Sequence, residues 1–578
     1  MKCVGKALSL LWLICASVVN CFSLDREAFS FTNYDLNLQV EPEQHRLGVR
    51  GKVTLRNDSQ ILQKIAVLQI SSSLEWRSVK AGDKAVQFVT QPYTSDIDHT
   101  GGLSEAIVTL PQAVAPGGMI ELDIAYEGVI VLDATRLTRI GIPQETANRT
   151  DWDQIGTKFT AVRGVGYVAW YPIATEVSNL SEGDLFEVVA RWKAREAATR
   201  MNLIFATPVV SGEENPPLTL CGGSELHVIA RGGSPKFPSS RCSYEPLGPS
   251  VPTFAIGNYG RVDRPSITVY NLPSHALTAQ NYADAAEKAG GLITDWFGSI
   301  RRKAETADLG VSDAAPFESG ALLFTPLTND DSKIAGLAAA HQLAHAAFLS
   351  FRPWIEEGLA HFAQALYVEQ QSGRQAALVY MQQHRSAFSE IDAPSTTLPR
   401  AEDEVNRSLV NTTNEELYRG KAMCVWWMLR DMVGDAALKK ALAAYRPEQD
   451  KEPSYMPRLI AAQTQRDLEW FFDDWVYRDR GLPDFKVESA FPRKTMTGSF
   501  MVTITVDNLG TAGAEVPITV KFAGGDVTKR LEVRAKNKGV IRVEVPAAPA
   551  EIVVNDSSVP ESNVTNNVFQ FEGSAERN

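Results

Sequence analysis

The chain has 578 residues, 44% of them apolar and 22% charged, which suits about three or four domains of roughly 150 residues. Such a composition can bury several cores, so it excludes disordered, collagen-like and coiled-coil chains. A formal net charge of −12 without a long basic tract also excludes a nucleic-acid partner.

Residues 1–23 read as a signal peptide. Lys2 and Lys6 give a positive start, Ala7 to Val19 an apolar core, and Cys21 and Ser23 the small residues a signal peptidase reads. The mature chain is then exported, secreted or periplasmic, although a retained anchor is the other reading. No later apolar run reaches the roughly 18 residues that a membrane span needs without a polar break, so no transmembrane segment is expected after signal removal.

From 24 to 262 the pattern is strand-like and predicts an antiparallel β domain. Tyr34 to Val40 alternates with period two, as does Val53 to Arg56 after a turn expected at Gly51, and Pro116-Gly-Gly118 marks another turn. Cys221 and Cys242 lie in a stretch rich in Gly, Pro and Ser. In an oxidising compartment they are a disulfide candidate, with loop closure contributing roughly 3 kcal/mol. From 263 to 484 the period turns helical. Ala276 to Phe297, Asp331 to Phe351, Trp354 to Ser372, Glu415 to Tyr445 and Asp467 to Tyr477 are predicted helices, with Ala321 to Phe324 a strand among them and Cys424 a buried thiol. Residues 485–578 return to strands, with Phe500 to Val506 ending at the turn Asn508-Leu-Gly510, and suit a small immunoglobulin-like sandwich. The expected fold class is multidomain α+β.

His341 and His345 are four apart on one face of a helix that is otherwise nearly all Ala, Leu and Phe. Two buried imidazoles need a shared partner, because an unpaired buried polar group costs about 1–3 kcal/mol. A zinc ion is one such partner. Arg352-Pro353 then breaks the chain, and if the next helix doubles back, Glu357 returns within reach of both histidines. The competing reading is a pair of hydrogen-bonded core histidines with Glu357 in solvent.

These residues resemble a known family. His341-Gln-Leu-Ala-His345 followed by Trp354-Ile-Glu-Glu-Gly-Leu-Ala is similar to the zinc-binding core of the aminopeptidase N-like gluzincin metallopeptidases, which carry His-Glu-x-x-His and then Glu in Asn-Glu-Gly-Phe. Trp170-Tyr-Pro172, Tyr418-Arg-Gly-Lys-Ala422 and Leu468 to Tyr477 extend the likeness. The resemblance implies an N-terminal β domain, a mainly helical thermolysin-like domain holding one zinc ion through His341, His345 and Glu357, and a C-terminal β-sandwich. It also implies peptide or protein ligands and an oxyanion-donating role for Tyr418. His361, four residues after Glu357, is a candidate for orienting a ligand.

The departures bear on chemistry. Gln342 stands where the family has its general-base glutamate, and an amide has no proton-transfer equilibrium near neutral pH, so hydrolysis is expected to be weak or absent. The family's Gly-Ala-Met-Glu-Asn strand is missing, and the nearest stretch is Glu318-Ser-Gly-Ala-Leu-Leu-Phe324. The link between His345 and Glu357 is also shorter than the family's. Two other functions remain open: an active metallopeptidase using another base, such as Glu356 or Glu318, and a non-enzymatic extracellular interaction protein. Of these, Glu356 reads as a solvated helix residue.

Overall fold

The computed structural model describes residues 24–208, 217–223, 225–229, 239–248, 250–300, 303–328, 331–385, 408–410, 412 and 414–571. The proposed leader lies outside them. No helix among the described residues is long and apolar enough to cross a membrane.

The first part is built on an eight-stranded sheet with Phe29–Glu41 near its middle. Tyr34, Leu36, Leu38 and Val40 are buried while Asp35, Asn37 and Gln39 face solvent, so strict alternation gives one core face. Its neighbour Arg46–Asn57 is antiparallel, with Tyr34 opposite Val53. Gly51 is not a turn. It sits in mid-strand opposite Leu36, where a Cβ would run into the Asp35 carbonyl, and the chain reverses instead at Pro42–Gln44. The sheet is also not wholly antiparallel, because Arg200–Ala206 runs parallel to Phe29–Glu41. A parallel neighbour needs a crossover rather than a hairpin, and the helix Leu185–Glu196 leads into it. That helix was hidden by its charges, yet Leu185, Val188, Trp192 and Glu196 are buried at helical spacing. The Sγ atoms of Cys221 and Cys242 are bonded.

The middle part pairs helices with a five-stranded sheet in the order Gly260–Asp263, Ile267–Asn271, Ala304–Asp308, Leu322–Thr325, Phe317–Ser319. Helix Ala276–Phe297 spans the expected residues. The expected helix Glu415 to Tyr445 is instead a π-helical turn, Glu416–Lys421, then Ala422–Val433 and Asp435–Ala444. Gly434 separates the last two at φ +83°, a left-handed conformation that ends helices. Asp467 to Tyr477 contracts to Glu469–Phe472 and a second π-helical turn, Asp473–Tyr477.

The last part is two facing sheets. Phe485–Lys494, Phe500–Asn508 and Lys538–Val545 form one, and Gly525–Val533, Ala514–Phe522, Pro549–Val554 and Val568–Gln570 the other. Val502, Ile504 and Val506 of the first and Val516, Ile518 and Val520 of the second are buried in a core continuous with the helical part. Trp475 Nε1 donates to Gly513 O at 2.7 Å across that junction.

Glu561 accepts hydrogen bonds from Asn555 Nδ2 at 2.8 Å, from Asn567 Nδ2 and from Phe485 N at 3.2 Å, while burial pushes its carboxyl up to about 7. A carboxyl that binds its proton more tightly folded than unfolded stabilises fully at low pH, and that contribution is lost as pH rises through the folded value. Glu196, also raised to about 7 by burial, adds to the same slope. Between pH 5 and pH 8 the thermal midpoint of Glu561→Gln is therefore expected to fall less steeply than that of the wild type. Parallel slopes in scanning calorimetry would refute this.

Candidate metal centre

Four side chains from three elements meet at one point. Helix Ser332–Ala347 starts where the Asp331 side chain accepts from Lys333 N at 2.8 Å, and it carries His341 and His345 on one face. Pro353 opens the next helix, Pro353–Ser372, at its first position, where a missing N–H costs nothing. That helix packs back on the first and delivers Glu357. The edge strand Phe317–Ser319, antiparallel to Leu322–Thr325 through a turn at Gly320 (φ +61°), delivers Glu318.

One donor atom from each of Glu318, His341, His345 and Glu357 lies within 4.8 Å of all the others. The two Nε2 atoms are 3.2 Å apart. Glu318 Oε2 is 3.3 Å from His341 Nε2 and 3.1 Å from His345 Nε2. Glu357 reaches the same two nitrogens at 3.8 Å each, and its Oε2 also accepts from Arg419 Nε at 3.3 Å. Tetrahedral donors at about 2.0–2.1 Å from zinc sit roughly 3.3 Å from one another. Nitrogen and carboxylate donors at this spacing fit zinc in both chemistry and size.

Without a metal the cluster's charges pair with one another. Against burial, the Glu318, Glu356 and Glu357 carboxylates raise His345 well above its ordinary value, so its imidazole must release a proton when a metal binds. Burial alone would raise the Glu318 carboxyl, but His341 and His345 outweigh it and hold the group well below the usual range. Burial likewise opposes ionisation of Glu357, and His345, Arg419 and His341 overcome it. Both carboxylates are therefore ionised, as metal ligands must be.

The other expected residues are placed differently from one another. Gln342 is 1% exposed, and its amide is bound into the sheet. Its Nε2 donates to Glu305 O at 2.5 Å and Ala321 O at 3.3 Å, and its Oε1 accepts from Tyr282 OH at 3.0 Å and Thr306 Oγ1 at 2.9 Å. His361 packs edge-on against His341, with ring centroids 4.9 Å apart, and its buried Nδ1 has no hydrogen-bond partner among the described residues. Tyr418 lies on the π-helical turn Glu416–Lys421. Burial pushes its hydroxyl well up, and that hydroxyl bonds Glu415.

Glu356 is not in solvent. Its Oε1 stands 3.8 Å from His345 Nδ1, on the far side of the ring from the cluster, and burial raises its carboxyl. That is where a carboxylate orients a ligating imidazole rather than where a base would meet a substrate. Two cations to which the sequence motifs assign no role also reach the site. Arg419 joins Glu357 to Glu415, accepted by Glu415 Oε2 at 2.6 Å. Lys193 comes from the helix Leu185–Glu196, and it interacts electrostatically with Glu356, Glu357 and Glu415 while burial lowers its ammonium pKa. Nothing in local spacing could have linked Lys193 to this site.

No protein-family model matches the chain, and no curated protein matches it. Solved structures do. The M1 zinc metallopeptidase from Deinococcus radiodurans is 17% identical at a TM-score of 0.49, the alignment covering 78% of this chain and 94% of that one. A mutant of the same enzyme bound to a Tyr-Ser-Ala substrate is 18% identical at a TM-score of 0.48, covering 79% of this chain and 96% of that one.

Proposed function

We propose that the chain is an exported zinc-binding protein on an aminopeptidase N-like gluzincin scaffold, which binds peptides and hydrolyses them weakly or not at all. Its layout would be a β domain over 24–262, a thermolysin-like domain over 263–484 and an immunoglobulin-like sandwich over 485–578. The observation that carries the zinc reading is the convergence of Glu318, His341, His345 and Glu357, one donor atom of each lying within 4.8 Å of all the others. A zinc ion held there with a coordination position open would supply Lewis-acid polarisation and lower the pKa of a bound water to about 7.

The chain's own residues do the rest. His341 and His345 would offer their Nε2 atoms, Glu356 steadies the His345 ring from behind, and Arg419 fixes one oxygen of Glu357. No base is supplied by Gln342, whose hydrogen bonds are all made to the sheet and to Tyr282. General acid–base catalysis typically contributes about 10²–10⁴ in rate, and that factor is missing.

Metal analysis of purified, zinc-supplemented protein is expected to find one zinc per chain, lost in His341→Ala. A mixed peptide library followed by mass spectrometry is expected to stay uncut. A chain that retains no zinc would overturn the metal reading. Cleavage lost on His341→Ala would overturn the impaired-hydrolysis reading and leave the metal reading standing.

A further inference from the structure

The geometry points to Glu318 as a fourth protein ligand that closes the zinc site, leaving no open coordination position for water or a substrate carbonyl. This rests on the zinc-binding reading above and concerns how that site is filled. Of the two carboxylates in the cluster, Glu318 is the closer to the imidazoles. Its Oε2 stands 3.3 and 3.1 Å from the two Nε2 atoms, near the roughly 3.3 Å edge of a zinc tetrahedron, whereas Glu357 is 3.8 Å from each. With both carboxylates bound, two nitrogens and two oxygens complete four-coordination, the count found in structural zinc sites. Catalytic sites keep three protein ligands and one open position.

The strand that carries Glu318 is braced by the N-terminal β part at the residues before and after it. Ser319 Oγ donates to Val251 O at 2.8 Å, and Ser319 also abuts Gly222, where any side chain would collide with it. Gly222 follows Cys221, which is disulfide-bonded to Cys242. From the same face Phe317 packs edge-on against Tyr167, with ring centroids 5.3 Å apart. Residues 317 and 319 are thus anchored away from the cluster while 318 points into it, as alternation along a strand requires. The Glu318 carboxylate is held in place by packing rather than left to find the ion by chance.

A closed site makes hydrolysis fail for a reason independent of Gln342, so the two are separable by spectroscopy. Cobalt(II) would replace zinc in the whole chain, and its visible absorption would be followed while acetohydroxamate, a small chelating probe, is added. The wild-type spectrum is expected to be that of a tetrahedral centre and to stay unchanged by the probe. In Glu318→Ala the spectrum is expected to shift with saturable dependence on acetohydroxamate. Zinc affinity is expected to fall roughly 100-fold, at or beyond the upper end of losses seen when residues supporting a ligand are removed.

A wild-type spectrum that responds to the probe overturns the closed site without touching zinc binding, and needs no variant that might misfold. Equal zinc affinity in wild type and Glu318→Gln also overturns it. Failure of the wild type to bind cobalt or zinc removes the zinc reading itself, and this inference with it.

Discussion

Replacing Gln342 by glutamate is expected to destabilise the chain and to restore no peptide cleavage. In motif terms the change rebuilds His-Glu-x-x-His and looks like a repair. In the fold, the Gln342 Nε2 is the donor to two carbonyls, Glu305 O and Ala321 O, on a side chain that is 1% exposed. A carboxylate there has no hydrogen to give and faces both oxygens. The introduced group will therefore hold a proton, which restores one donated bond, and its folded pKa rises above the unfolded value of about 4.3. Below the unfolded pKa the deficit is that of one lost hydrogen bond, about 1 kcal/mol. It grows as pH rises toward the folded value, reaching roughly 3–5 kcal/mol at pH 8, on the order of 10 °C in thermal midpoint. Calorimetry at pH 5 and pH 8, with the peptide library run alongside, tests both halves. A variant as stable as the wild type that cuts peptides would show that the side chain turns to the cluster instead.

The sequence reading reached some elements because their determinants are local. Helix Ala276–Phe297 is an Ala-rich periodic run closed by Gly298, at φ +86°, and both signals are local to the segment. The shared face of His341 and His345 follows from helical period alone. Glu318 was legible only as a possible substitute base, because its place depends on a turn at Gly320 and on Ser319 docking against Val251. Glu356 lies about 100° around its helix from Glu357, which suggested solvent. Helix packing instead puts His345 between them, so both carboxylates meet the same ring from opposite sides. The π-helical turn Glu416–Lys421 defeats period counting for a different reason. Each residue turns less than in an α-helix, so the facing of Tyr418 and Arg419 does not follow from a 3.6-residue repeat.

That same turn ends in the residue with the other large expected effect. Lys421 Nζ pairs with Asp479 Oδ1, and the two side chains are 0% and 1% exposed. The Lys421 ammonium lies 5.7 Å from the Trp475 ring centroid, while Asp479 Oδ2 has no hydrogen-bond partner among the described residues. Lys421→Met keeps most of the side-chain volume but leaves a carboxylate buried without its cation, which costs about 3–5 kcal/mol. Lys421→Met combined with Asp479→Asn removes both charges, and asparagine tolerates the backbone at φ +40° that Asp479 adopts. The double variant is therefore expected to recover more than half of the loss, a coupling measurable by a double-mutant cycle in urea. The pair also ties the turn bearing Arg419 to the chain just after the second turn, Asp473–Tyr477. Loosening it should release Arg419 from Glu357 and weaken zinc binding severalfold in the single variant, with recovery in the double. A single variant within about 1 kcal/mol of wild type, or zinc affinity unmoved while stability falls, would separate the buried pair from the metal centre.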